Sequence, residues 1–365
     1  MEYLSTFTAC LLLLAGTRQG TAQNALHVQA TQCEPPRQCT PRHLCDSSST
    51  TIADGRALID FRSYDFSGRN EGCNYFQKCC APADVRTAVP EREYVPGLCG
   101  MRNLKGLSIT ILNGQHSESQ FGEFPWMVAI LIHDSLNNFK SMGGGSLISP
   151  RVVLTTAHIF QEGMNEIVVA RAGEWDNRYT YEALKHQDRL VQEIITHPDF
   201  DNMTGFFDLA LLILSPPFKL DKHIGTICLP SPAAIFDSSR CTVTGWGKRG
   251  YSDKDYPNIL KNIELPFVER NKCENQLRYN TRLGRYFELH ESFVCAGGER
   301  GRDACFGDGG APLVCPITKG SARYQLAGMV SWGLGCGAEN VPGVYTNVQM
   351  MMPWITEQLS LANQE

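Results

Sequence analysis

The sequence predicts an all-β protein: antiparallel barrels or sandwiches, preceded by a small cross-linked module and closed by a terminal helix. Three observations carry this. From Cys99 onward, many short apolar runs are separated by Gly, Pro and Asn, a pattern of antiparallel strands rather than βαβ units. Six cysteines crowd between Cys33 and Cys80 in a segment with few large apolar residues. Met352 to Leu361 places Trp354, Ile355, Leu359 and Leu361 at loosely helical spacing.

Composition bounds the rest. A chain of 365 residues corresponds to roughly two to two and a half domains. Apolar residues at 42% suffice for a sizeable core, while 19% charged residues, a net charge of -5 and a pI near 6.0 exclude a disordered chain and a surface basic enough to track a phosphate backbone. Of the 15 cysteines, Cys10 falls in a leader, and the even set that remains points to an oxidising compartment and full pairing.

The leader is the apolar run Leu4 to Ala15, followed by small residues ending at Gly20-Thr21-Ala22. It reads as a secretory signal over residues 1–22, although it carries Glu2 and no Lys or Arg at its start; a buried N-terminal helix is the alternative. No later stretch approaches the length of a membrane helix, so the mature protein is expected to be free and extracellular.

Cys33, Cys39, Cys45, Cys73, Cys79 and Cys80 define a module over residues 32–81 that is too small to fold on burial alone and needs cross-links. Spacing does not choose their connectivity. Zinc is the competing reading of clustered cysteines, but there is no C-x2-C pair and no histidine at finger spacing. Residues 82–98 hold Pro82, Pro90 and Pro96 among charges and read as a linker. Arg86, Arg92, Arg102 and Lys105, in and just after it, are candidate targets for trypsin-like cleavage or simply solvated charges. Strands are expected at Trp126–His133, Gly145–Ala157, Ile167–Trp175, Leu190–Thr196, Leu209–Leu214, Cys241–Trp246, Tyr324–Ser331 and Gly343–Val348.

Three segments stand out together: Thr155-Thr156-Ala157-His158 after a strand, Asp208-Leu209-Ala210-Leu211-Leu212 opening another, and the glycine-rich turn from Cys305 to Cys315. Each is weak alone, since a histidine at a strand end is commonly structural. In this order, with Trp126 before and Ser331-Trp332-Gly333 after, they resemble the chymotrypsin-like serine proteases, over Cys99 to the C-terminus. The resemblance implies a double antiparallel β-barrel with a C-terminal helix, His158 as general base, Asp208 fixing its tautomer, and a serine nucleophile in a GDSGGP turn. Here the turn reads Gly307-Asp308-Gly309-Gly310-Ala311-Pro312, and Gly309 stands at the nucleophile position.

Glycine cannot form an acyl-enzyme. Loss of the nucleophile removes about a millionfold in rate, roughly 8 kcal/mol of transition-state stabilisation, and the backbone N–H groups of Gly307 and Gly309 would leave at most a residual ~10³–10⁴-fold effect. The turn offers no Ser, Thr or unpaired Cys in exchange. His158 and Asp208 are therefore read as relics of a triad in a chain that is not an enzyme; an active trypsin-like endopeptidase with a substitute nucleophile is the alternative.

The same resemblance implies bridges Cys99–Cys228, Cys241–Cys315, Cys273–Cys295 and Cys305–Cys336. The family's bridge beside the histidine is missing at both ends, with Gly143 and Ile159 in its place. Asp303 matches the base of a trypsin-type pocket and Gly333 and Gly343 its walls, so the pocket either still holds an Arg or Lys side chain or has collapsed. Family members need cleavage before an Ile-Val-Gly-Gly-like start, whose new ammonium pairs with the aspartate at Asp308. The nearest match here is Ile111-Leu112-Asn113-Gly114 after Thr110, so processing is expected to release a constraint rather than mature an active site.

The N-terminal module resembles the clip domain of arthropod clip-domain proteases in its C-x5-C-x5-C start, its Ala57-Leu58-Ile59-Asp60 segment and its Cys79-Cys80 ending. That likeness implies Cys33–Cys79, Cys39–Cys73 and Cys45–Cys80. With Cys99-Gly100-Met101-Arg102-Asn103 and Phe121-Gly122-Glu123-Phe124-Pro125-Trp126, the whole chain resembles the arthropod clip-domain serine protease homologs, with a protease-like domain over residues 99–365. The resemblance implies secretion into haemolymph and a non-catalytic role as cofactor or regulator in innate immunity, in prophenoloxidase activation and melanisation. Its implied partners are clip-domain proteases, prophenoloxidase or other cascade proteins and microbial surfaces, with oligomerisation after cleavage; nucleic acid and membrane are not among them. Asn202-Met203-Thr204 is an N-glycosylation sequon. No cofactor or metal is assigned, since Glu174, Asp176 and Glu182, in a loop that binds calcium in some relatives, read equally well as a solvated face.

Overall fold

The computed structural model describes residues 33–41, 57–60, 77–82, 97–107, 109–112, 117–133, 139–160, 166–179, 182 and 184–362. The expected signal segment, Cys45, Cys73, Arg86 and Arg92 lie outside these residues.

The double barrel implied by the sequence is present. The first barrel closes through β5 (Met127–His133), β6 (Phe139–Ser149), β7 (Val152–Thr155), β8 (Ile167–Ala172), β9 (Gln187–Thr196) and β10 (Ala210–Ser215), in the order β10-β7-β6-β5-β8-β9. The second closes through β11 (Arg240–Gly245), β12 (Lys261–Val268), β13 (Phe293–Gly297), β14 (Pro312–Pro316), β15 (Tyr324–Trp332) and β16 (Pro342–Asn347), in the order β11-β12-β13-β16-β15-β14. Neighbouring strands in both are antiparallel.

The unbroken apolar runs of β5 and β10 follow from this architecture. Alternate residues of a strand point to opposite faces. Val128 and Ile130 fill the first barrel with Leu147, Val153, Leu212 and Leu214, whereas Met127, Ala129, Leu209 and Leu211 join a second cluster with Val243, Leu313, Leu326 and Met329 of the other barrel. Both faces are buried, so neither can be polar.

The run expected over Gly145–Ala157 is two strands, β6 and β7, because Pro150-Arg151 turns the chain, with Phe218 N–H donating to the Pro150 carbonyl and Leu214 N–H to that of Arg151. β12, β13 and β14 were not among the expected strands; β12 mixes Lys261, Asn262, Glu264 and Pro266 with its apolar residues. The helix α1 (Arg270–Asn280) was also unexpected. It buries only Cys273 and Leu277, one turn apart, and Glu269 caps it by accepting from the N–H groups of Asn271 and Lys272 at 3.0 Å each. The terminal helix α2 (Met352–Ala362) buries Ile355.

Ahead of the barrels, β1 (Gln38–Pro41) pairs antiparallel with β3 (Gln77–Cys80), and β2 (Ala57–Asp60) pairs in parallel with β4 (Ile109–Leu112). Bridges join Cys33–Cys79, Cys99–Cys228, Cys241–Cys315, Cys273–Cys295 and Cys305–Cys336. Cys39 and Cys80 are bonded as well. Among the described residues no helix is long and apolar enough to cross a membrane.

The segment after Cys99 is fastened to the barrels. Arg102 donates to the Glu123 carboxylate at 2.6 and 3.0 Å and to the Tyr324 hydroxyl at 3.0 Å, and lies over the Phe124 ring. The two charged side chains are only 8% and 5% exposed. Arg102→Ala would strand a buried carboxylate, and is expected to lower unfolding stability by about 3–5 kcal/mol in urea titration.

Candidate functional site

The cleft between the barrels collects side chains from both. A single 3-10 turn, Ala157–Ile159, follows β7 and carries His158 to its edge. Asp208, 1% exposed, sits directly before β10. Its Oδ1 accepts the His158 backbone N–H at 2.9 Å, and its Oδ2 lies 2.7 Å from His158 Nδ1 and accepts from Ser331 Oγ at 2.5 Å. A carboxylate opposite Nδ1 sets the imidazole proton there and leaves Nε2 as the outward acceptor. Asp208 is placed by Phe207, which takes a left-handed backbone (φ 54°), donates its N–H to Ser292 Oγ at 3.2 Å and stacks on His197.

Gly309 comes to His158 from the second barrel. A Cβ at Gly309 would stand 2.9 Å from His158 Nε2, so the residue occupies the place from which a side chain would meet the imidazole. Its carbonyl accepts the Gly144 N–H at 2.9 Å. Gly310, with φ 72°, needs its glycine, since a Cβ there would collide with Thr155 and the Gly144 carbonyl. Among the described residues no acceptor meets the N–H of Gly307 or Gly309, so both remain available to an oxyanion or carbonyl. Gly143 and Ile159 also meet here: a side chain at 143 would run into the Gly309 carbonyl, and Ile159 Cγ2 lies 3.5 Å from that Cβ position.

Asp308 points inward. Its Oδ1 accepts the Gly247 N–H at 2.8 Å, its Oδ2 accepts the Cys305 N–H at 2.9 Å, and the Lys261 ammonium pairs with Oδ2. Lys261 is 1% exposed and its remaining contact is to the Lys248 carbonyl at 3.0 Å. Sequence reasoning missed this lysine, yet a signal existed: 261, 263 and 265 share one face of β12 at period two, and Ile263 and Leu265 are buried.

Asp303, 7% exposed, sits behind the turn. Its Oδ2 accepts the Gly337 N–H at 3.0 Å, while Oδ1 and the buried Tyr345 hydroxyl have no hydrogen-bond partner. Both atoms border Gly343, at 3.1 and 3.3 Å from its Cβ position. Gly333 is exposed, and a Cβ there would meet only the Gly335 carbonyl at 3.6 Å. Burial pushes the Asp303 carboxyl up to about 7 and the Tyr345 hydroxyl well above its usual range.

The reading of Glu174 and Glu182 as a solvated face is corrected: they are 6% and 9% exposed. Glu174 accepts from the Trp175 N–H at 3.0 Å and lies 3.2 Å from His186 Nδ1 and 3.3 Å from Arg171. Burial opposes its ionisation, but His186 holds it below the usual carboxylate range. Burial and the Glu174 charge push Glu182 up to about 8. Asp176 and Glu182 are joined through the Asp176 N–H at 3.2 Å. Sulfurs of Cys33, Cys39 and Cys79 lie together, but all three are disulfide-bonded and offer no thiolate to a metal. Of the basic candidates for cleavage that are described, Arg102 is engaged as above and Lys105 is exposed in a turn closed by Gly106 N–H donating to the Asn103 carbonyl. Asn202 is exposed, in a turn where Asp201 Oδ1 accepts the N–H groups of Met203 and Thr204.

Comparison with known proteins agrees with this geometry. Residues 113–355 match the Trypsin family, and residues 27–81 match the serine protease clip domain of PPAF-2 type. The chain belongs to the trypsin family and carries a clip domain. This clip-domain serine protease homolog is 44% identical over 281 residues to phenoloxidase-activating factor 2 of Galleria mellonella, covering 74% of this chain and 92% of the relative. It is 40% identical over 344 residues to inactive CLIP domain-containing serine protease A8 of Anopheles gambiae, covering 92% of each. Inactive CLIP domain-containing serine protease A28 of the same species is 37% identical over 351 residues, covering 89% of each.

Two pH effects follow for this homolog. A cation entering beside Asp303 needs the carboxylate, so benzamidine affinity measured by calorimetry is expected to rise about tenfold between pH 6 and pH 8; a flat profile would contradict a carboxyl titrating near 7. Glu182 holds a proton in the fold that the unfolded chain loses near its ordinary 4.5. Its stabilising contribution is therefore present below that value and lost as pH rises through about 8. Glu182→Gln should melt above wild type at pH 9 and alongside it at pH 4.

Proposed function

We propose that this chain is a secreted, non-catalytic serine protease homolog that acts as cofactor or regulator of an extracellular innate immune protease cascade, promoting or tuning prophenoloxidase activation and melanisation. The observation that carries the reading is Gly309: a paired histidine presents Nε2 to a residue with no side chain. Without a hydroxyl at that point no bond to a substrate carbonyl forms and His158 has no proton to remove. Nearby hydroxyls are engaged in the barrels' hydrogen bonds or buried. Thr155 Oγ1 donates to the Gly144 carbonyl, Ser331 Oγ donates to Asp208, and Thr156 Oγ1 is buried. Relatives named as inactive proteases and as a phenoloxidase-activating factor support the assignment to that cascade.

In this reading residues 1–22 are a signal peptide, 32–81 the clip domain, 82–98 a linker and 99–365 the protease-like domain, with glycan at Asn202. The Asp303 pocket serves recognition: its unpartnered buried oxygen accepts the guanidinium or ammonium of a partner's Arg or Lys. Processing by a trypsin-like protease falls at Arg86, Arg92 or the exposed Lys105, because the Arg102 side chain is sequestered by Glu123 and Tyr324.

Two measurements test this. Arginyl phosphonates are expected to leave the processed protein unlabelled, with arginyl ester turnover at the buffer rate; covalent labelling would restore the enzyme reading. Depletion from the source animal is expected to slow melanisation after microbial challenge, and purified protein should restore it. An unchanged response would remove the cascade assignment.

A further inference from the structure

We infer that the Lys261 ammonium forms the Asp303 pocket within the uncleaved chain, so that a basic side chain is bound there with no new amino terminus. The inference rests on the pocket reading above and names its regulation.

Asp308 lies between the two parts of the cleft. On one side its Oδ2 holds the Cys305 N–H, two residues from Asp303 and at one end of the Cys305–Cys336 bridge that closes the pocket wall. On the other side Asp308 precedes Gly309 and Gly310, and its carbonyl accepts the Ala311 N–H at 2.9 Å. Where the carboxylate goes, the wall and the turn go with it. Its inward position demands a cation, because an unpaired buried carboxylate is strongly disfavoured. Lys261 supplies that cation from the first residue of a barrel strand and is itself almost fully buried, so the pair is built into the second barrel. The space is shaped to fit: a Cβ at Gly245 or Gly247 would collide with the Asp308 carboxylate, and both positions are glycine.

The N-terminal segment does not take part. Ile111 and Leu112, where the sequence comes nearest to a protease start, are paired in β4 with Ile59 and Asp60 of the clip module. The site that a freed amino terminus would occupy already holds an ammonium, so a cut upstream changes what is attached to the domain and leaves the pocket as it was. The ligand class is a monovalent planar or primary cation: an arginyl or lysyl side chain presented to Asp303 and Tyr345.

Benzamidine, an amidinium that mimics arginine, is the probe. Calorimetry is run on the full intact chain, on the same chain cleaved at Arg86 or Arg92 and freed of the protease, and on intact Asp303→Ala and Lys261→Met. The expected result is binding by the intact chain, a change of less than about twofold on cleavage, and a loss of at least about tenfold in each variant. Binding that appears only after cleavage overturns the inference and leaves the pocket reading standing. Binding by Lys261→Met equal to wild type also overturns it. Failure of both intact and cleaved chains to bind removes the pocket reading and the inference together. Should Lys261→Met not fold, hydrogen exchange at Cys305–Gly310 decides: equal protection before and after cleavage supports the inference, and protection gained on cleavage overturns it.

Discussion

The carboxylate of Asp308 is the constraint on which the cleft depends. It receives two backbone N–H groups and one ammonium in a place from which water is excluded, and each of those donors belongs to a different piece of chain: the Gly247 loop, the Cys305 bridge and the start of β12. A buried charge is tolerated only when its acceptors are filled. The carboxylate therefore ties the Cys305 turn to β11 and β12, which already pair at Gly245 and Lys261. It also accounts for the Gly245-Trp246-Gly247 pattern, in which both glycines yield space to the carboxylate while the tryptophan packs in the core.

Persistence of the His158–Asp208 pair opposite Gly309 has a structural reason. Several hydrogen bonds that bring the barrels together pass through these residues: Thr346 Oγ1 donates to the Asp208 carbonyl at 2.7 Å, Ser331 Oγ to its side chain, and Gly144 N–H to the Gly309 carbonyl. Removing the imidazole would strip the Nδ1 donor from a carboxylate that is 1% exposed, leaving Oδ2 with Ser331 Oγ alone. The pair is therefore held by the cost of an unsatisfied buried acceptor, independently of any chemistry at Nε2.

The sequence showed most of the architecture because burial on both faces leaves a mark. β5 and β10 announce themselves as continuous apolar runs, and the ordered His, Asp and glycine-turn segments fix which loops face each other. Elements with a single buried face were less legible. α1 buries two side chains in eleven residues, and its amphipathic pattern is lost among Arg270, Asn271, Lys272 and Glu274. Lys261 was passed over because a lysine is read as solvent-facing; only the two-residue period with Ile263 and Leu265 says otherwise. Glu174 and Glu182 failed in the same way, since His186, which pairs with Glu174, and the Asp176 N–H, which Glu182 accepts, are brought to them by the loop's fold.

The Gly143 and Ile159 pair bears on how this domain can change over time. A bridge there would need a side chain at 143, but the Gly309 carbonyl now sits in that space, and Ile159 has filled what remains. Cysteine at either position alone would add a collision or an unpaired thiol beside the turn. A cross-link between 143 and 159 is thus opposed by the packing present there, because both positions must change together and the Gly309 carbonyl must move to admit them.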